Sequence, residues 1–468
     1  MTDLSLLPAT DLVAGFRSGQ LTPVDAAEAA LEAIERYDAD VHAVVLVDRE
    51  SALRDAAAST DRWRRGQPLG PADGVPATIK DILLTRGWPT LRASLLVDES
   101  GPWEEDAPSV ARMREGGAVL LGKNSLPEFA WKGVTDSRRH GATGNPWGAH
   151  LTAGGSSGGA ATAVGLGMGA WSVGTDGGGS VRIPASFTGT VALKPTFGLV
   201  PMYPSSAYGT LGHAGPMTRT VTDAALLLDV VGTPDPRDWA WSPRRPGSYL
   251  DGLDGGVAGL RIAYSPTLGF GRNDPEVEAA VNAAVAVLAD AGAVVERVDP
   301  PIPDPREAFE LLWFTGASKV VEAYGEGALS EIDPLLREQI ERFADTSASA
   351  HLDATTVRMT LGRQMGAFHQ EWDLLICPTM PIAAFPVGQD APDGWPSQLW
   401  TTWTPYTYPF NMTQQPALSV PCGHTGDGRP VGLQVVGPRH SDALVLRAGR
   451  AYEARTDWHT QVPSVRRQ

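Results

Sequence analysis

Three short segments hold residue types that together could break an acyl bond. The first is GTDGGGSVRIP, in which Gly177, Gly178 and Gly179 run directly into Ser180. Residues without side chains let backbone N–H groups point into a cavity and let a ligand come close. A serine ending such a run can attack a carbonyl carbon while neighbouring amides hold the charge that develops on its oxygen. The same string also fits a glycine-rich turn capped by a serine. The second segment is AGGSSGGAA, with Ser156 and Ser157 between two glycine pairs. Gly154 to Gly158 match the G-x-S-x-G nucleophile elbow, but that elbow needs an apolar strand just before it. GNPWGAHLTA stands there instead, irregular and polar. The segment therefore reads either as a loop that enters a helix near Gly158 and offers a serine to a neighbour, or as a flexible turn. The third segment is VPATIKD, where Lys80 closes an apolar run. Burying an ammonium is costly, so a lysine there has a lowered pKa and can act as a base. Alternatively it is a partly buried lysine paired with Asp81.

Other chemistries find less support. The chain has only five lysines, at 80, 123, 132, 194 and 319, against 33 arginines. Its surface relies on arginine, so each lysine is a candidate for a specific task. The nine histidines include no HExxH pair and no other zinc spacing. A Ser-His-Asp triad stays open, since its members lie far apart in sequence. No lysine follows a serine by three residues, which removes the β-lactamase arrangement. Cys377 and Cys422 each sit beside a proline at the end of an apolar run and read as small core residues. That weakens an amidase mechanism based on a cysteine nucleophile.

These segments need a scaffold. Thr22 and Pro23 open a helix whose apolar positions Val24, Ala27, Leu31 and Ile34 follow helical spacing. Residues 41–48 read as a strand, 49–65 as an exposed helix and 74–82 as a buried strand ending near Lys80. Residues 107–117 read as a helix with Asp106 as its cap and a glycine terminator. Strands follow at 118–122 and 170–176, then a helix at 220–232 and a long surface connection over 233–256. The pattern resumes as a strand at 260–265, a helix at 274–292, a helical region at 305–371 and a buried strand at 372–379. Residues 380–410 read as an aromatic loop, followed by two closing strands and a last helix at 441–456. Strands alternating with helices predict an α/β fold: a central mixed sheet covered by helices on both faces. We expect one domain over 1–468, with 305–371 as a helical subdomain inside it.

Composition narrows the partners. The 468 residues carry a net charge of −16. That opposes phosphate-driven nucleic-acid binding and attraction to an anionic membrane. Residues 151–175 carry no charge and are long enough to span a bilayer, but glycine, alanine, serine and threonine dominate them. Two cysteines cannot build a disulfide framework. The N-terminus MTDLSLLPATDLVAG shows no secretory pattern, and a cytoplasmic setting is expected.

Taken together, the three segments resemble the amidase signature family, and the likeness runs from about Leu4 to the last helix. GVPATIKD is similar to the family's lysine strand, GATGNPWGAHLTAGGSSGGAA to its NPW…GGSSGG block, and GTDGGGSVRIPA to its GTD-x-GGSxRxPA block. LKPTFGLVP, GPMTRTVTDAALLL, WDLLICPT and PALSVPCG…GRPVGLQVVGP follow in the family's order. The resemblance implies Lys80 as base, Ser156 as a bridging serine after a cis peptide bond, and Ser180 as nucleophile. It implies an oxyanion hole from the amides around Gly177, Gly178, Gly179 and Ser180, with Thr175, Asp176 and Arg182 supporting the loop. Lys80 as a neutral amine would draw the Ser180 proton through Ser156, and water would then release the acyl group. No metal or organic cofactor is implied.

Some positions depart from the family pattern. Gly177 stands where isoleucine or a threonine-like residue is common, which implies a roomier or more mobile oxyanion loop. Gln414 replaces a common glycine, and LGKNS (121–125) replaces LGKTN. The chain reads PEFAWKG and NMTQQPA where the A-type subunit of glutamyl-tRNA amidotransferase typically reads DEFAMG and NLAGLPA. It therefore resembles a free-standing amidase, a monomer or homodimer acting on a small-molecule amide, with esters and carbamates as further substrates. The alternative is an A-type amidotransferase component working with a partner chain. Six aromatics are candidates for the pocket: Trp131 after LPEFA, Trp313 and Phe314 in the helical region, and Trp400, Trp403 and Tyr406 in the late loop. As a wall or lid, that loop would favour aryl or long apolar amides.

Overall fold

The computed structural model describes residues 3–463 and 465. An 11-stranded mixed sheet runs through it. Its strands in chain order are β1 (Val44–Val47), β2 (Pro76–Lys80), β3 (Val119–Asn124), β4 (Trp171–Asp176), β5 (Val191–Lys194), β6 (His213–Thr218), β7 (Arg261–Tyr264), β8 (Val294–Arg297), β9 (Leu374–Pro378), β10 (Ala417–His424) and β11 (Pro430–Val436). Across the sheet they lie in the order β1-β3-β2-β4-β6-β5-β10-β11-β9-β7-β8. β2 is parallel to both neighbours, as β7 is to its own, while the strands from β4 through β6, β5, β10 and β11 to β9 pair antiparallel.

Strand alternation shows that both faces are covered. In β9, Leu374 and Ile376 join one hydrophobic cluster, while Leu375 and Cys377 join another. Side chains of successive strand residues point to opposite faces, so the two clusters lie on opposite sides of the sheet. One face carries helices Ala9–Ser18, Val221–Val231, Pro275–Asp290 and Asp442–Glu453. The other carries Arg306–Glu322, Pro334–Arg342 and Ala348–Phe368 over β7 and β9. Helices Pro23–Val41 and Arg49–Arg64 pack beside β3, where Leu120 faces the first cluster and Val119 and Leu121 face theirs. The expected α/β fold is the observed one.

The Thr22 start holds in detail: its side chain accepts from the Asp25 amide and Asp25 bonds back, a full capping box. Other details differ. Asp106 does not cap the next helix, which begins at Pro108 after an Ala107 without a side-chain cap. Its carboxylate instead accepts from the Arg86 amide and pairs with Arg114. Several elements lie outside the sequence reading, among them helix Arg182–Thr188 and strands β5 and β8, and two of them show why. Helix Ala9–Ser18 has no capping side chain to announce it. Strand β6 contains Gly215 and Pro216, yet it pairs on both sides. Gly215 fits because its backbone passes so close to the Leu193 carbonyl that a Cβ would collide with it.

No helix among the described residues is long and apolar enough to cross a membrane. The uncharged stretch 151–175 divides into the end of a short hairpin strand, helix Gly158–Gly165 and most of β4.

Candidate active site

Lys80 ends β2, and β2 pairs with β4, so Lys80 reaches Thr175 near the end of that strand. Lys80 is fully buried. Its Nζ lies 2.7 Å from Ser156 Oγ, 2.8 Å from Ser157 Oγ and 3.0 Å from Thr175 Oγ1. Burial pushes its pKa well below the usual lysine range, while the charge on Asp176 pulls the other way. The pairing with Asp81 does not form: that carboxylate lies 2.9 Å from Lys123 Nζ. Ser157 Oγ donates to the Thr175 carbonyl at 3.2 Å, so it can only accept from Lys80. Three hydroxyl contacts match the three N–H donors of an ammonium, or two donors and one lone pair of a neutral amine.

Ser156 and Ser157 precede helix Gly158–Gly165, and the Gly155–Ser156 peptide bond is cis. The loop packs tightly: a Cβ on Gly155 would sit 2.5 Å from the Val134 backbone. It is also tied to the second serine segment, because the Ser157 N–H donates to the Ser180 carbonyl at 3.0 Å.

The Gly177–Ser180 loop is held from behind by Asp176. Its carboxylate accepts from the Gly179 amide at 2.8 Å, the Val181 amide at 3.2 Å and Asn411 Nδ2 at 2.8 Å. It also takes a two-pronged bond from Arg182, at 3.0 and 2.9 Å. Burial alone would raise this carboxyl, but the Arg182 guanidinium holds it well below the usual range. Arg182 in turn reaches the Thr407 carbonyl, Gln434 and Asn411, so all five of its N–H donors have acceptors. Thr407 Oγ1 donates to the Gly178 carbonyl at 2.7 Å.

This scaffolding corrects the expected oxyanion hole. The Gly179 amide is committed to Asp176 and cannot donate into the cavity. Among the described residues, the amides of Gly177, Gly178 and Ser180 keep no such partner. Gly177 is not a roomy position either. A Cβ there would lie 2.6 Å from the Trp313 ring, which fills the space that a larger residue would need.

Ser156, Thr175, Gly177 and Ser180 share one cavity of ≈ 190 Å³, with apolar walls that include Phe129, Met202, Trp313 and Val320. No hydrogen bond joins Ser156 to Ser180 among the described residues, and both residues line the cavity. Of the six aromatic candidates, Trp313 lines it. Its ring stacks on Tyr208 at 3.8 Å, and its Nε1 donates to the Trp131 carbonyl. The other five are packed behind. Trp131 and Phe314 pack on each other, Trp400 sets its edge against Phe309 and Trp313, and Trp403 stacks on Phe187. Tyr406 Oη donates to Asn273. The late segment is not an open lid because turns at 399–407 and helix Pro409–Met412 satisfy its backbone internally. The rings can therefore enter the core.

Sequence reasoning missed Ser157 as a partner of Lys80. The double serine in GGSSGG was the available signal, since a buried amine needs more than one acceptor. It also missed Arg92 and the 201–208 segment, both of which line the cavity. Neither carries a periodic or motif signal.

The family described as Amidase matches residues 25–446. The chain belongs to the amidase signature family. It is 37% identical to an acylamidase of Rhodococcus erythropolis, covering 99% of both chains. It is equally 37% identical to the A-type subunit of glutamyl-tRNA(Gln) amidotransferase from Chloroflexus aggregans, covering 100% of both. Among solved structures it resembles a bacterial aryl acylamidase of the amidase signature family, with a TM-score of 0.92 and 30% identity over 99% of each chain. It also resembles 6-aminohexanoate cyclic dimer hydrolase in complex with substrate, with a TM-score of 0.89 and 28% identity over 99% of each.

Proposed function

We propose that the protein hydrolyses linear amides through an acyl-enzyme on Ser180, with Ser156 as proton relay and Lys80 as base. The observation that carries this reading is Lys80: fully buried, with its amine against Ser156, beside a cavity that also holds Ser180. Serine is a weak nucleophile until its proton is removed. In the first step Ser180 Oγ bonds to the amide carbonyl carbon, its proton passes to Ser156, and the Ser156 proton passes to Lys80. The carbonyl oxygen becomes an oxyanion facing the Gly177, Gly178 and Ser180 amides. As the C–N bond breaks, Ser156 protonates the leaving amine and recovers its proton from Lys80. Water then repeats the sequence on the ester and releases the acid.

The acylamidase likeness and the apolar walls favour aryl or apolar amides, with esters and carbamates as side substrates. We read the 305–371 helices as part of one catalytic domain, since their apolar faces share a cluster with β7 and β9. The proposed setting is the cytoplasm, as a monomer or homodimer. The equal identity to an A-type amidotransferase component favours one alternative: release of ammonia from glutamine or asparagine with a partner chain. Hydrolysis of an anilide by the purified chain alone separates the two. In that assay Ser180→Ala should reduce the rate by about three orders of magnitude or more, as for other nucleophile deletions. A fluorophosphonate should label the wild type and not the variant. Labelling that persists at another serine would overturn the assignment of Ser180.

A further inference from the structure

Arg92 is a cation in the catalytic cavity without a counter-ion. It lines the same space as Ser156 and Ser180. Its side chain makes one weak bond, from Nη1 to Tyr324 Oη at 3.3 Å, and among the described residues no carboxylate lies within ion-pair distance. The contrast with Arg182, whose five donors are all engaged, is complete. The nearby acids are committed elsewhere. Asp81 pairs with Lys123 and accepts the Leu91 amide. Glu128 accepts from Ser94 and from the Asp333 amide.

Nor is Arg92 a loose surface side chain. Its backbone and that of Ala93 both hold positive φ, at 54° and 52°, a region that L residues seldom occupy. Hydrogen bonds fix them there: the Arg92 amide donates to the Asp81 carbonyl at 3.1 Å, and the Phe129 amide donates to the Arg92 carbonyl at 2.9 Å. Ala93 is buried. Strained, pinned backbone is characteristic of positions that must aim a side chain. The walls of the same cavity include Phe129, Trp313 and Val320. Such walls lower the local dielectric and strengthen a charge-charge contact.

We propose that Arg92 binds a carboxylate on the substrate, so that the preferred amides carry a negative charge remote from the scissile bond. The guanidinium fork suits that group, which it can hold by two parallel N–H bonds. This rests on the hydrolase reading only in taking the cavity as the substrate site, and binding tests it without turnover. In a Ser180→Ala background, two pairs of anilides would be titrated while tryptophan fluorescence is followed. Adipic acid monoanilide against hexananilide places the charge on the acyl arm. 4-Acetamidobenzoate against acetanilide places it on the amine arm.

The expected result is that one charged member binds tighter than its neutral partner by about tenfold or more, the scale of a charge-assisted bond. Adding Arg92→Met should bring that ratio close to one, and Arg92→Lys should restore part of it. Equal binding of charged and neutral members in both pairs would overturn the proposal. So would a ratio that survives Arg92→Met, or a loss that affects both members alike. Hydrolysis of the neutral anilides by the wild type is measured separately and bears on the hydrolase reading alone.

Discussion

Two lysines on adjacent parallel strands share burial and differ in partners. Lys80 on β2 and Lys123 on β3 both have no exposed surface, and Ile79 stands in register with Lys123. Lys123 faces Asp81 at 2.9 Å and donates to Thr90 Oγ1 at 2.6 Å and to the Pro89 carbonyl at 3.0 Å. Lys80 faces three hydroxyls and no carboxylate. Asp176, whose charge does reach it, is engaged by Arg182. Burial lowers both pKa values, but at Lys123 it is opposed by a direct ion pair. Desolvation without a direct counter-ion favours the neutral amine, and a direct ion pair offsets it.

Substitution should separate the two sharply. Lys80→Arg and Lys80→Met should both cost about a thousandfold or more in kcat/KM, because arginine stays charged and cannot accept a proton. Near-wild-type turnover in the arginine variant would remove the base role. Lys123→Met should act on the fold instead. It leaves Asp81 buried without its partner, and the expected loss is about 3 kcal/mol in chemical denaturation. Full stability with selective loss of activity would reverse the comparison.

The same contrast applies to the aromatics. Trp313 touches the cavity and Trp403 does not. Trp403→Ala should lower stability by about 3–5 kcal/mol, the cost of emptying a large core site. It should reduce kcat/KM by the same factor for small and bulky amides. A loss confined to bulky amides would put Trp403 back in the pocket.

A smaller effect is expected at Ser157. Ser157→Ala removes one acceptor from Lys80 and the bond to the Thr175 carbonyl. A loss of about tenfold in kcat, with KM little changed, corresponds to one hydrogen bond. An unchanged kcat would mean that Ser157 does not position the amine.

Much of this site is legible in the sequence, for definable reasons. The glycine run before Ser180, the glycine pairs around Ser156 and the apolar run before Lys80 are local patterns, each with a local physical cause. The sheet followed from alternating elements, and the Thr22 cap from residue types alone. What stayed hidden depends on contacts between distant segments. Gly179 looks like its neighbours until Asp176 claims its amide. Gly177 seems to leave space until Trp313, 136 positions later in the chain, fills it. Trp400, Trp403 and Tyr406 look like a lid because local turns that satisfy a backbone leave little trace in composition. Arg92 is one arginine among 33 until its unpaired position in the cavity is seen.

The proposed mechanism needs Lys80 as a neutral amine at working pH. Five lysines make a direct observation practical. Lysine Nζ resonances would be followed by 15N NMR across a pH titration, with Lys80→Met and Lys123→Met assigning the two signals. Lys80 should lose its proton well below the usual lysine value and before Lys123 does. The kcat/KM for an anilide should also rise with pH along the same curve, since the deprotonated form is the active one. A Lys80 signal that stays in the ammonium form up to pH of about 10, near the unperturbed lysine value, while the enzyme is fully active, would contradict that mechanism.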